Sequence, residues 1–532
     1  EAREKHAQGE EFSVKPRFPV IIFKSKKGWT GPKMLKGQMV EDSFRSHGIP
    51  LEKVHEDPEE FQLLKDWLES YRVQELLTPE GKPVQDILDL VPEPELCMGR
   101  NKSANGERTV KLTLPDLADH ALKLKSKGEI NPSNMARLGD YLKEVITKNP
   151  ATFRLMSPDE TESNRLHMLF DVTKRAYTWP VPEGSENIGP GGRVMEILSE
   201  HTLEGWMHGY VLTGRQSVFI SYEAFIMIVA SMVDQYTKFL KQSKKISWRR
   251  SVPSLNFVLT STAWRQDHNG YSHQNPGFIS SALNDYSNVV RIHFPVDANM
   301  LLATMEESFN STNGVNVIVA GKTPLPQYLS LDEARNQMRT GLQTWSWAGN
   351  LDNDSNSPDV VFAATGDYAT FETLAAMQLL KEQAPQMRTR FVSVSELTCF
   401  GIGDNSNQSH INYQDFNNIF TADRNIVYAY HGYPDDIKHL IFNHPAASRF
   451  DIHGYQEKGT TTTPLDILVV NNSSRYQLAL SALEYAGRFN HQLKKQLQQL
   501  SSYFKTLLEK HQIYIKETGE DLEEVRNFKL KF

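Results

Sequence analysis

Residues 255–277 read LNFVLTSTAWRQDHNGYSHQNPG. The first six, Leu255 to Thr260, make an apolar run of strand length, and a loop crowded with His, Asn, Gln and Arg follows at once. Moving outward, the same succession recurs. Further strand-length runs fall at Phe153 to Met156, Arg193 to Ile197, Val218 to Ile220, Val289 to Phe294 and Val315 to Ala320. Helical patterns lie between most of them, and another spans about Ser133 to Lys148, which is the alternation of a parallel α/β sheet. Polar clusters follow the strand ends at Ser157 to Asn164, Ser199 to His201, Ser221 to Glu223, Trp264 to His273 and Gly321-Lys322. In open α/β sheets that edge binds ligands.

A second α/β unit is predicted from near Asp359. Its strands are Val360 to Ala364, Arg390 to Val394 and Ile426 to Tyr430, the turn Gly366-Asp367 opens a helix to about Lys381, and Thr460 to Pro464 precedes a further strand. A helix-rich, charged tail runs from about Ser473 to Glu524. Towards the other end, Phe18 to Phe23 reads as a buried strand. Asp57 to Arg72 reads as a helix with Asp57 as N-cap and Pro58 in the first turn. From Thr78 to about Glu107 the Pro-, Glu- and Gly-rich composition predicts a linker and a boundary near residue 105.

At 532 residues and 39% hydrophobic content the chain is too long for one core, and three domains are expected. A formal net charge of −7 provides no broad positive field for nucleic acid or anionic membrane. The longest apolar run, Phe225 to Val233, is too short to span a bilayer and predicts a buried helix. Two distant cysteines, Cys97 and Cys399, fit a reducing cytoplasm and no disulfide framework. The chain opens at Glu1 in a charged stretch that is expected to be truncated or processed.

The loop after Thr260 is the most informative chemically. Two imidazoles, His268 and His273, titrate near neutrality and suit proton exchange, while Asn269 and Arg265 suit a phosphate or hydroxyl groups. A zinc pair at His-x-x-x-x-His spacing is the rival, and no third ligand is evident nearby. Glu200 sits where a strand passes into a helix, a place where a carboxylate is often a dipole-favoured helix start. Tyr222 and Phe225 are residues more often of the core than of a cofactor stack. Lys322 is either an anion ligand or a solvated surface residue. Gly401-Ile-Gly-Asp-Asn405 lacks the third glycine and helix of a dinucleotide fingerprint, Gly189-Pro-Gly-Gly192 lacks a Walker lysine, and no Gly-x-Ser-x-Gly elbow exists.

Together, KGWTGP at 27–32, SPDETESN at 157–164, SEH at 199–201, WRQDHNGYSHQNPG at 264–277 and GTTTTP at 459–464 resemble the phosphoketolase family. The resemblance implies an α/β, transketolase-like multi-domain thiamine-diphosphate enzyme. Residues 1–105 would be the remainder of an incomplete diphosphate-binding domain plus linker, 106–328 a pyrimidine-binding domain, and 329–532 a C-terminal α/β domain with a helical tail. The family's Gly-Asp-Gly metal motif is absent, and Gly403-Asp404-Asn405 lies in the wrong domain to replace it. No metal ligand is therefore assigned, Mg²⁺ being expected upstream, and the chain alone is expected to be inactive.

By motif, Glu200 resembles the glutamate that hydrogen-bonds the cofactor's aminopyrimidine, Tyr222 and Phe225 its aromatic wall, and Lys27, His47 and Asp159 further cofactor contacts. Ser163, Gln266, His268, Asn269, His273 and Lys322 resemble residues that hold sugar hydroxyls and phosphate. Glu200, His268, His273 and His47 are the implied catalytic groups. The implied reaction splits xylulose 5-phosphate or fructose 6-phosphate with inorganic phosphate into acetyl phosphate, an aldose phosphate and water, in a cytoplasmic homodimer or higher oligomer. A transketolase-like two-carbon transferase and a catalytically silent interaction fragment are the alternatives.

Overall fold

The structure, a computed structural model, describes residues 8–9, 20–103, 106–285, 289–351, 357–400 and 411–532. The stretch Gly401 to Asn405 lies outside the described residues. The chain divides into two compact units, Glu1–Cys97 and Met98–Phe532.

The first unit holds a short antiparallel pair, β1 (Met34–Leu35) and β2 (Gln38–Met39), and the predicted helix, Pro58–Ser70. Asp57 caps that helix by accepting the Glu59 amide at 3.0 Å, with Pro58 in the first turn, where its missing N–H costs nothing. The expected buried strand at Phe18 to Phe23 is not found. Phe18 and Pro19 lie outside the described residues, and Val20 to Phe23 run extended, 73–88% exposed and in no sheet. An apolar run becomes a buried strand only where a neighbour pairs with it and a layer covers it, and none among the described residues does so.

In the second unit the strands are β3 (Phe153–Ser157), β4 (Arg175–Ala176), β5 (Ile188–Gly189), β6 (Val194–Glu196), β7 (Gln216–Tyr222), β8 (Leu255–Thr260), β9 (Val290–His293) and β10 (Val315–Val319). They form one parallel sheet in the order β5-β4-β6-β3-β7-β8-β10-β9. A second sheet contains β11 (Leu342–Thr344), β12 (Val360–Thr365), β13 (Thr389–Val394), β14 (Ile426–Tyr430) and β15 (Phe450–His453), in the order β11-β13-β12-β14-β15 with only β11 antiparallel. Each strand predicted between Phe153 and Tyr430 is present. The short strands β4, β5, β11 and β15 went unforeseen, being too brief for a periodicity to register.

One buried apolar cluster runs through both sheets, joining Phe219, Phe257 and Phe294 to Val394, Tyr428 and Tyr430. β7, β8 and β10 are central, buried on both faces, and their carboxyl ends meet at one edge. Two expectations need correction. The segment after Thr460 to Pro464 is a helix, Pro464–Val470, because Thr463 caps it and Pro464 takes its first turn, so capping chemistry outweighs the apolar run. Phe225 to Val233 is no single buried helix: it divides into a 3₁₀ turn, Ile226–Val229, and the start of the helix Ala230–Ser243, leaving Met227 and Ile228 exposed. No helix among the described residues is long and apolar enough to cross a membrane.

Candidate active site

At the edge where β7, β8 and β10 end, a cavity of about 330 Å³ is lined by Tyr222 after the first strand, Gln266, His268 and Asn269 after the second, and Lys322 after the third. Five of the residues expected from the sequence therefore meet in one place. Ser163 joins them through Tyr222, whose hydroxyl donates to Ser163 Oγ at 2.9 Å and accepts from Lys322 Nζ at 3.1 Å. The Lys322 ammonium also stands 4.4 Å from the centroid of the Tyr222 ring, a cation–π contact that fixes the lysine over the cavity.

The loop from Trp264 to Gln274 is braced by hydrogen bonds among its own side chains and backbone. Asn269 Nδ2 donates to Gln266 Oε1 at 2.8 Å and contacts His268 Nε2 at 3.2 Å, while buried Gln274 donates to the Gln266 carbonyl at 2.9 Å. The indole of buried Trp264 anchors the loop's start to the His431 carbonyl at 2.7 Å. Just before it Ser261 is buried with φ +48, a left-handed conformation that costs energy and recurs at functional sites.

Tyr222 and Phe225 stack with centroids 5.8 Å apart, and His273 meets Phe225 edge-on at 5.0 Å. Burial, with the charges of His268 and Lys322, holds the His273 pKa below the ordinary imidazole value. Glu200 opens the helix Glu200–Leu212, whose N-cap Ser199 receives the Thr202 amide. Beside it lies Glu160, buried and bound by the Tyr222 amide at 2.8 Å; burial, then the charges of Asp159 and Glu200, push its carboxyl up to about 7. Asp159 itself is exposed.

Lys27 and His47 belong to the first unit, where Lys27 Nζ lies 2.9 Å from His47 Nδ1. Gly28 makes this possible. Its φ is +77 and a Cβ there would fall 2.5 Å from the Ser46 Cβ, so only glycine lets the two loops close on each other.

The sequence reading missed Arg165 and Tyr368, which line the cavity, and Glu160. Arg165 and Glu160 carried a signal, lying in or next to the SPDETESN cluster. Tyr368 follows β12 of the other sheet, and no local pattern in the chain announces that the two sheet edges meet. Gly321 mediates that approach: a Cβ on it would come within 2.2 Å of Asp367 Oδ2.

The family described as D-xylulose 5-phosphate/D-fructose 6-phosphate phosphoketolase matches residues 136–311, with its C-terminal domain at 322–530 and its N-terminal domain at 2–109. A probable phosphoketolase of Bradyrhizobium diazoefficiens is 41% identical over 529 residues, covering 99% of this chain and 65% of the relative. Probable phosphoketolase 2 of Rhizobium meliloti is also 41% identical, covering 99% and 67%. Among solved structures, a Pichia stipitis transketolase complex with sedoheptulose 7-phosphate superposes with a TM-score of 0.54 at 16% identity, over 81% of this chain and 54% of that one. Transketolase from Leishmania mexicana gives 0.52 at 14% identity, over 81% and 55%. The fold is thus transketolase-like. The chain belongs to the phosphoketolase family, and it spans 65% of the length of the first of these curated relatives.

Proposed function

We propose that the protein is a thiamine-diphosphate-dependent phosphoketolase, cleaving xylulose 5-phosphate or fructose 6-phosphate with inorganic phosphate to acetyl phosphate, an aldose phosphate and water. The observation that carries this reading is the composition of the cavity: Lys322, Arg165 and Arg265 stand around Gln266, His268 and Asn269. Cationic donors suit phosphate through charge-assisted hydrogen bonds, and the neutral groups suit sugar hydroxyls.

Thiamine diphosphate would supply the nucleophilic carbon that opens the ketose. The stacked pair Tyr222 and Phe225 fits its pyrimidine ring, and the half-buried Glu200 fits a hydrogen bond to a ring nitrogen. Lys27, His47 and Asp159 are the further cofactor contacts in this reading. Among the described residues no group of three or more His, Cys, Asp or Glu is arranged to hold a metal, and no step is assigned to Mg²⁺. His273, its pKa lowered by burial and by the charges of His268 and Lys322, is suited to accept a proton, and His268 at the cavity wall to donate or relay one during loss of water from the two-carbon unit. Gln266, Asn269 and Ser163 orient the sugar, and Lys322 holds phosphate.

A second copy of the chain is the partner in this reading, and exposed Leu198, Trp206 and Ile228 around the Glu200 helix support it. The two free cysteines, one of them buried, support a cytoplasmic setting. The test is to supply the full-length protein with thiamine diphosphate, Mg²⁺, fructose 6-phosphate and inorganic phosphate. Acetyl phosphate, trapped as a hydroxamate, is the expected product. Phosphate-independent transfer of two carbons to an added aldose would make it a transketolase instead.

A further inference from the structure

Behind the candidate active site lies a second cavity, of about 420 Å³, that the proposed reaction does not use. Arg265, Tyr368 and Pro324 line both spaces and so form the wall between them. The second cavity also receives Arg475 and Arg526, so that three guanidiniums face the two carboxylates of Glu372 and Asp521.

Those carboxylates are already engaged. Glu372 takes the Arg475 backbone amide at 2.8 Å and two edges of its guanidinium, Nε at 3.0 Å and Nη2 at 2.6 Å. Asp521 accepts from the Thr463 hydroxyl at 2.5 Å and the Leu465 amide at 3.1 Å. Arg475 is only 3% exposed, yet its Nη1 has no hydrogen-bond partner among the described residues. Its charge is met by Glu372, but the Nη1 donor is left over, and a buried polar group without a partner is uncommon in native proteins. Phe528 and Phe371 flank the same guanidinium, 4.4 and 5.3 Å from their centroids, and provide an apolar seat next to it.

We propose that this second cavity is a binding site for a phosphate-bearing small molecule, its phosphate held by Arg475 Nη1, Arg265 and Arg526 and any organic body resting on Phe371 and Phe528. A cavity of this size with a few convergent polar groups is of ligand-site dimensions. Guanidinium donors suit a tetrahedral oxyanion through paired hydrogen bonds, and Arg526, now 3.1 Å from Glu520, would exchange that exposed partner for the anion. Arg265 lines both cavities and is the one charged side chain they share. The site stands on its own observations and does not require the phosphoketolase reaction.

Tungstate, a phosphate mimic with a strong anomalous signal, is soaked into crystals of the protein, and inorganic phosphate is titrated calorimetrically. The expected result is an anomalous peak within hydrogen-bond reach of Arg475 in addition to one near Lys322, and two phosphates bound per chain. Val525→Phe fills the second cavity without touching the first and should reduce the count to one. Arg526→Gln, on the exposed rim, keeps the fold safe and should weaken only the second phosphate, by about five-fold or more, as loss of a charged hydrogen bond does. Displacement of that tungstate by ribose 5-phosphate at lower concentration than inorganic phosphate identifies an organic phosphate as the ligand, and the reverse order identifies free phosphate. A peak confined to the Lys322 cavity, or two phosphates of unchanged affinity in both variants, overturns the proposal.

Discussion

His431 Nε2 lies 2.6 Å from Glu223 Oε1, although the histidine follows β14 in one sheet and the glutamate follows β7 in the other. Both are fully buried, and the Ala263 amide holds the second glutamate oxygen at 2.9 Å. This pair, with Asp367 close to the imidazole, fastens the two sheet edges between which the candidate active site lies.

Removing one member should be costly. Glu223→Gln leaves a buried imidazole without its counter-charge, and a loss of about 3–5 kcal/mol is expected from broken buried pairs. Burial lowers the His431 pKa, but Glu223 and Asp367 together raise it above its ordinary value. The folded state therefore binds the proton more tightly, so this contribution is complete below the unfolded imidazole pKa and fades as pH rises through the folded one. Urea unfolding from pH 5 to 9 should show that decline in the parent and a flatter profile in Glu223→Gln.

Glu160 predicts a pH dependence of the same sign, the reverse of what a salt-bridged carboxylate gives. With its folded pKa pushed up to about 7, the folded protein holds a proton that the unfolded chain releases. Stability should accordingly fall as pH climbs from about 4.5 to 7, by linkage. Glu160→Gln removes the titration. Its melting temperature should exceed the parent's at pH 8 and approach it at pH 4; an equal difference at both values would place the proton elsewhere.

At Glu200 the expected effect is on chemistry. Glu200→Gln preserves shape and helix start, so cofactor binding should survive while turnover falls by about two to four orders of magnitude, the range for a lost acid–base group. Near-normal turnover would return Glu200 to the role of a dipole-favoured helix residue.

Lys322→Ala removes the ammonium and its contact with Tyr222. The apparent phosphate requirement should rise by about ten-fold or more, consistent with one charged hydrogen bond, with cofactor affinity much less affected. Steady-state kinetics with phosphate varied at saturating cofactor, and then the reverse, separates the two.

The central strands and the loop after Thr260 were legible in the sequence because buried parallel strands write continuous apolar runs and their carboxyl ends carry the polar residues. The same strand-end pattern points to the segments that carry Gln266, His268, Asn269 and Lys322, which line one cavity. It failed where neighbours decide. Val20 to Phe23 has strand composition but no pairing partner among the described residues, and the run after Thr463 has strand composition but a helix cap. Tyr368 and the Glu223–His431 pair arise from contact between segments more than a hundred residues apart, which no local pattern encodes.

One consequence follows from the arrangement of β7, β8 and β10. Three neighbouring strands end at the same edge, and each hands over to a separate segment that contributes its own part of the cavity. The load-carrying lattice and the chemistry are thus written in different stretches of chain. Grafting a relative's segment after Thr260 onto these unchanged strands should exchange substrate preference without redesign of the barrel-free sheet beneath it, which makes the loop the natural unit of engineering and of divergence.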